Sequence, residues 1–313
     1  MSDNRQLLTD MAAGLFAELE GAEFATAWPR LAETGFATLL VPEEQGGFGG
    51  DWGDLYAVLK LAGQHALPSV LGDTIIAHKI LADAGVAAPE GAIGLLDGDR
   101  VAFGRHCGAV LGPGKLLPGA ICDWHEGTSA DGKARDRLGG IEGFEIAVST
   151  NADLKAKGAF VRVAMAAGAL EAGFALAIEH VNTRVQFGKP LGKFQAVQQA
   201  LAEASSEIAA VLAAGQAAAA AFQAGDASFE IAAAKYRMNR AVDVAVPILH
   251  RVHGAIGFTM EYPLNRFTRA LMGWRSEFGN DAFWARWLGE RVAKGGGKAL
   301  WREVTARGDR QSR

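Results

Sequence analysis

The stretch "TRVQFGKPLGKFQ", residues 183–195, sets one arginine, two phenylalanines, two glycines and a proline between long runs of helical sequence. A helix ending at Arg184, followed by backbone bent at Gly188 and Pro190, offers a fixed cation and free amides at a bundle corner. That combination suits a phosphate or diphosphate. Phe187 and Phe194 offer a flat apolar surface for a ring system, or they plug the core. Metal chemistry has no comparable foothold. The seven histidines are scattered without ligand spacing, and His250 and His253 share a helix face with no nearby cysteine or acid. Cys107 and Cys122 are too few for a disulfide framework and lack CxxC spacing.

The elements around this stretch are mainly helical. Leu170, Phe174, Ile178, Val181 and Val185 recur every three or four residues and form one stripe. Phe194, Val197, Leu201, Ala204, Ile208, Val211, Gly215, Ala218 and Phe222 form a second, whose small residues permit close helix packing. Gly225-Asp226 ends that helix, with Asp226 or Ser228 to cap the next, and Pro247 is expected to kink it. A last helix is expected from Asn280 or Asp281. Residues 1–88 read as helices interrupted by Gly46, Gly47, Gly49 and Gly50, a ligand-approach site or a flexible loop, before a cap at Asp51 or Asp54. Residues 89–150 are glycine-rich with short apolar runs, the pattern of short strands. The "GPGK" at 112–115 is not a phosphate loop, because Leu116 stands where Ser or Thr is required. The expectation is a mainly α chain in three domains: helical (1–88), reduced β (89–150) and a C-terminal four-helix bundle (151–313).

Three segments in order are similar to the acyl-CoA dehydrogenase family. "TRVQFGKPLGKFQAVQQALAE" resembles the R-x-x-FG-x-x-x-x-x-x-Q segment, and "LAETGFATLLVPEEQGGFGG" resembles the helix leading into V-P-E and a glycine turn. "HRVHGAIGFTMEYPLNRFTR" resembles the Q-x-x-GG-x-G-F segment with its following E-x-P-x-x-x-x-x-R. The likeness covers about residues 15–80 and 155–290. It implies an acyl-CoA dehydrogenase-like fold that binds FAD between the middle region and the bundle, with the diphosphate end crossing to a neighbouring protomer. It also implies α,β-desaturation of an acyl-CoA thioester and reoxidation by an electron acceptor protein. Carried over, Arg184 reaches the FAD diphosphate, Phe187 packs on the cofactor, Gln195 opens the next helix, and Arg251 and Gly254 lie at the adenine end.

The chain departs from that pattern in three places. The middle region is short, with neither T-E-P-x-x-G-S-D nor W-I-T, so part of the wall around an isoalloxazine ring is lacking. Arg251 and Ala255 stand where the family has Gln and Gly, adding a cation and a methyl group. The family's base is a desolvated carboxylate held about 3 Å from the α-proton. Its Y-E-G-T position holds Phe278 here, with Glu277 one residue earlier, and its other position falls on Gly158. Glu277 is therefore the candidate base, or else a surface acid paired with Arg275 or Arg286. Trp274 and Trp284 line a pocket or are core aromatics. The "HEGTSA" at 125–130 lies in the glycine-rich region and is read as coincidence.

Such a shortened member resembles subunits of the heteromeric steroid side-chain acyl-CoA dehydrogenases, which pair two unlike chains around each FAD. The partner is then a second dehydrogenase-like subunit in a heterotetramer, or another copy in a homodimer or tetramer. A non-catalytic structural partner and a flavin oxidase or monooxygenase of the same fold remain alternatives. With net charge −4, no basic field invites nucleic acid or anionic lipid. The basic tail "WREVTARGDRQSR" is expected to be a solvated end. No basic-then-apolar leader stands at the N-terminus, and no apolar run is expected to reach the roughly 20 residues of a membrane span. A cytoplasmic address is the default expectation.

Overall fold

The computed structural model describes residues 3–309 except 144 and 151. Four helices come first: α1 (Asp3–Glu18), α2 (Phe24–Ala32), α3 (Trp52–Gln64) and α4 (Leu71–Asp83). A capping box starts α3: the Asp51 side chain accepts from the Asp54 amide, and the Asp54 side chain accepts from the Asp51 amide. Arg5 of α1 donates to both acids, to Asp54 at 2.6 Å and to Asp51 at 2.8 Å, and so ties α1 to the start of α3. The preceding glycines form a turn hydrogen-bonded to the chain's own backbone. Gly49 N donates to Val41 O and Gly50 N to Leu39 O, both at 2.8 Å. A Cβ on Gly47 would overlap Val41 O. The glycines let the chain fold tightly onto its own backbone.

Seven short strands follow: β1 (Ile93–Leu95), β2 (Arg100–Ala102), β3 (Ala109–Gly112), β4 (Lys115–Pro118), β5 (Cys122–His125), β6 (Arg135–Ile141) and β7 (Ile146–Ala147). They make one sheet ordered β1-β3-β4-β7 and another ordered β2-β6-β5. The "GPGK" segment is the β3–β4 turn, with Gly114 at φ +72 after Pro113, which is type II geometry. Thr74 of α4 accepts from Ile93 N and donates to Ile93 O, docking the first sheet on the helices.

The remainder is helical apart from one small hairpin: α5 (Leu154–Thr183), β8 (Val185–Gln186), β9 (Lys189–Pro190), α6 (Gln195–Ala224), α7 (Ser228–His253), α8 (Leu264–Ser276), α9 (Asp281–Gly295) and α10 (Gly297–Asp309). The second apolar stripe is borne out: Leu201, Ala204, Ile208, Val211, Gly215 and Ala218 are the buried line of α6. Gly215 leaves room for the Tyr56 ring of α3, whose hydroxyl donates to Leu212 O at 3.3 Å. The first stripe is met only in part: Leu170 and Val181 are buried, Ile178 is 37% exposed, and Val185 lies past the end of α5 at Thr183, exposed in β8. Asn280 caps α9 by accepting from Phe283 N, and α7 runs on through Pro247.

Helices α3 and α5 touch backbone to backbone. A Cβ on Gly63 would overlap Met165 O, and one on Gly168 would overlap Lys60 O. Gly168→Ala is therefore expected to cost about 1–3 kcal/mol as an overpacked contact, read as a lowered midpoint in urea. An unchanged midpoint would place the two helices farther apart.

One expectation is corrected. Helices α5 and α6 do have the length and composition of a membrane span, with mean hydropathy 1.6 and 1.2 over their most apolar windows. The α5 window is 67% buried, so its apolar residues are spent largely on the core, whereas the α6 window is 33% buried.

Candidate functional site

The opening stretch folds as a tight corner. Val185 and Gln186 pair antiparallel with Pro190 and Lys189, which leaves Phe187-Gly188 as a two-residue turn. Both residues have positive φ, +51 and +79, as a type I′ turn requires. Glycine adopts this freely, but phenylalanine does so at a cost. The result is a ring standing 91% exposed, with an edge contact to Phe194 at 6.2 Å. Phe194 is partly buried and covered by the Lys189 ammonium at 4.4 Å.

Arg184 is the C-cap of α5 and is exposed, with no carboxylate paired to it among the described residues. Gln195 opens α6, also exposed. The stacked rings of His180 and His253, 4.8 Å apart, bring the C-terminal ends of α5 and α7 together. Exposed Arg251 and the α7 C-cap Gly254, at φ +66, therefore share this end of the bundle with Arg184, Phe187 and Gln195. Burial pulls His180 and His250 below the usual imidazole range, so neither adds charge there at neutral pH. Ala255 is exposed. An unpaired guanidinium beside a projecting ring fits a diphosphate joined to an aromatic system.

Glu277 lies elsewhere and is not a surface acid. It is 4% exposed, at the C-cap of α8. Its carboxylate accepts from Arg162 Nε at 2.6 Å, with Arg135 Nε at 3.7 Å on the other oxygen. Arg162 forks to Asp73 with its other two nitrogens, and Arg135 also donates to Asp97 at 2.8 Å. Burial pushes the Asp73 carboxyl up against the pull of Arg162. Arg162, though desolvated, has its pKa raised by the two carboxylates and stays charged. Arg275 is spent on Asp243 and Asp281 instead.

Phe278 seals this end. Its backbone is at φ +50, and its ring lies where a Cβ on Gly158 would stand, 4.7 Å from the Arg162 guanidinium carbon. Its N–H donates to Asp97 at 2.9 Å and its C=O accepts from the Trp284 indole at 3.1 Å. Trp274 and Trp284 are core aromatics, 8% and 3% exposed. The hollow bounded by Asp73, Arg135, Arg162, Trp274 and Glu277 measures about 40 Å³. That space holds about three waters, and a larger hollow of about 530 Å³ shares Phe103, Asp131, Lys133 and Ala134 with it. Glu126 of "HEGTSA" is exposed and paired with Arg105. No cluster of metal-ligating side chains occurs among the described residues.

The two ends are far apart. Arg162 and Arg184 are separated by 22 positions on and just past one helix, which at 1.5 Å per residue is about 33 Å. A ribityl chain cannot bridge that separation. The sequence reading missed Asp73 and Arg162. Its available signal was a lone arginine in the apolar run "FVRVAMAAG" and a lone aspartate in "VLGDTII".

Helices before a small strand region and a long bundle after it make a mainly α architecture. Residues 143–293 match the family "Acyl-CoA dehydrogenase, C-terminal domain". The curated "Acyl-CoA dehydrogenase IpdE2" of Mycolicibacterium smegmatis is 26% identical over 303 residues, covering 87% of this chain and 94% of that protein. Among solved structures, a variant of the Tcur3481-Tcur3483 steroid ACAD superposes with TM-score 0.82 at 22% identity, over 94% of this chain and 98% of that one. The ChsE4-ChsE5 complex from Mycobacterium tuberculosis gives 0.78 at 19%, over 94% and 98%. Over residues 143–293 the chain is thus similar to the acyl-CoA dehydrogenases, and its mainly α fold is acyl-CoA dehydrogenase-like.

Proposed function

We propose that this chain is one subunit of a heteromeric acyl-CoA dehydrogenase whose flavin site is completed by an unlike partner. The Glu277 carboxylate, tied to Arg162 at 2.6 Å with Arg135 at 3.7 Å, carries the reading: a second copy of this chain would bring the same occupied acid, and the separation of about 33 Å from the Arg184 corner already divides the flavin between two chains. One flavin cannot use both, so the corner serves a cofactor whose ring and acyl thioester rest on the neighbouring chain. Bound FAD supplies the hydride acceptor for α,β-desaturation of the acyl-CoA. Arg184 holds the diphosphate and Phe187 packs on the adjoining rings, with Gln195, Arg251 and Gly254 framing the same end. Glu277 acts as the buried counter-ion of Arg162, and the proton-abstracting carboxylate comes from the partner. Likeness to a steroid ACAD and to the ChsE4-ChsE5 complex supports a steroid-class acyl group and a two-chain assembly. An electron acceptor protein regenerates the oxidised cofactor.

The chain is to be purified alone and co-expressed with a neighbouring dehydrogenase-like chain, and flavin absorption and turnover recorded for each. Little flavin alone and stoichiometric flavin in the complex are expected. Glu277→Gln in the complex is expected to leave kcat within a factor of two to three, since no proton passes through it. Stoichiometric FAD with turnover from the chain alone, or loss of turnover in Glu277→Gln with FAD retained, would overturn the reading.

A further inference from the structure

Helix α10 (Gly297–Asp309) lies beyond residue 293, where the family match ends, and follows three successive glycines, 295–297. A Cβ on Gly297 would meet nothing within 4 Å, and its φ is not positive, so neither packing nor turn geometry calls for glycine there. Three glycines in a row give the link backbone freedom instead. Past that link, Trp301 and Val304 stand on one helix face, 76% and 44% exposed. A tryptophan ordinarily buries most of its large area. From Gly297 to Arg313 the sequence carries five cations and two acids, while the whole chain has net charge −4. The arm is therefore basic and the body it leaves is acidic.

The body carries a groove of matching character. A hollow of about 810 Å³ runs between α3, which contributes Gly53, Tyr56 and Ala57, and the end of α6, which contributes Gln216, Ala220 and Ala224. Such small side chains let another helix approach closely. The apolar window of α6 is only 33% buried, so its outer alanines are not spent on this chain's own core. The rim is acidic, with Asp51 at the start of α3 and Asp226 and Glu230 at the start of α7. The two lining cations are already matched, Arg5 by Asp51 and Asp54, and Lys60 by Glu171 at 2.9 Å.

We propose that α10 is an arm that docks in the α3–α6 groove of a second copy of this chain, with Trp301 and Val304 against the alanine wall and the arm's positive charge toward the acidic rim. This is recognition of an amphipathic helix by an apolar groove, with anchors at i and i+3. Opposite charge on arm and rim fixes the register. Each molecule carries both halves of the contact, so the exchange is reciprocal and the same contact forms twice about a two-fold axis. The inference goes beyond the two-chain reading. It joins like chains to one another, and neither the Arg184 corner nor Glu277 takes part.

Two full-length chains test it, both in a Cys122→Ser background: one with Val304→Cys on the arm, the other with Ala220→Cys on the groove wall, each at an exposed position. Mixed under mild oxidation, they are expected to give a disulfide-linked species of twice the monomer mass that neither chain forms alone. In light scattering at graded concentrations, Trp301→Ala, which removes the anchor, and Ala220→Trp, which fills the groove, are each expected to weaken self-association roughly tenfold or more. Raised salt is expected to weaken it as well. Flavin content of the co-expressed complex is expected to stay the same in Trp301→Ala, so this inference and the two-chain reading fail by different signs. No crosslink on mixing, a crosslink that forms only within chains carrying both cysteines, or unweakened association in both variants would overturn the proposal.

Discussion

Replacing Arg162 with methionine is expected to cost about 3–5 kcal/mol, because it leaves the buried carboxylate of Asp73 without its counter-charge and Glu277 with Arg135 alone at 3.7 Å. That is a large share of the roughly 5–15 kcal/mol that holds a typical protein folded. The wild-type stability here comes less from the ion pairs than from their being complete. Each charge has paid its desolvation, and the guanidinium satisfies three carboxylate oxygens at once. The complementary experiment separates pairing from packing. Arg162→Met combined with Asp73→Asn and Glu277→Gln is expected to recover most of the loss, since neutralising a whole buried cluster is far milder than orphaning part of it. Urea midpoints of the single, double and triple variants give the comparison. A single variant as stable as the wild type would mean that the three side chains do not share one enclosed network.

Arg184→Ala in the co-expressed complex is expected to release the flavin, while the melting temperature of the flavin-free chain purified alone does not move. The side chain is exposed and pairs with no carboxylate among the described residues, so folding has nothing to lose. Charge-assisted hydrogen bonds to a diphosphate contribute about 1.5–3 kcal/mol, which corresponds to roughly 10–150-fold weaker retention. Arg184→Lys is expected to recover part of the loss, as a point charge lacking the two-pronged geometry. Phe187→Asn isolates the ring: asparagine tolerates positive φ, so the turn survives while the packing surface goes. Flavin content measured by absorption after desalting decides both cases. Unchanged flavin in Arg184→Ala would remove the corner from the site altogether.

Much of the fold was legible in the sequence because helical period and caps are local signals. The α6 stripe, the Asn280 cap and the capping box at Asp51 and Asp54 are read from neighbours within a few positions. At the site, Arg184 and Phe187 were legible as types, but the hairpin that projects Phe187 was not. Nothing marks phenylalanine as a residue for the left-handed region, so the Phe187-Gly188 pair does not announce a type I′ turn. The Glu277 end was legible least. Its environment is assembled from α4, α5, the β1–β2 turn and α8, at sequence separations of 89 and 115 for the two Arg162 contacts. Burial of a charge is a tertiary fact, and a helical periodicity cannot say which lone acid will find which lone base.

The two-residue link between β8 and β9 has no slack. Side chains alternate from one edge of such a ribbon to the other, so adding or deleting a single residue would swing the Phe187 position to the opposite side. Evolution can therefore trade letters within residues 185–190 but hardly the count. The Gly225–Ala227 connection at the other end of α6 faces no such constraint. Among descendants of this chain, gaps and insertions should gather at that distal bend while the projecting knuckle keeps a constant span.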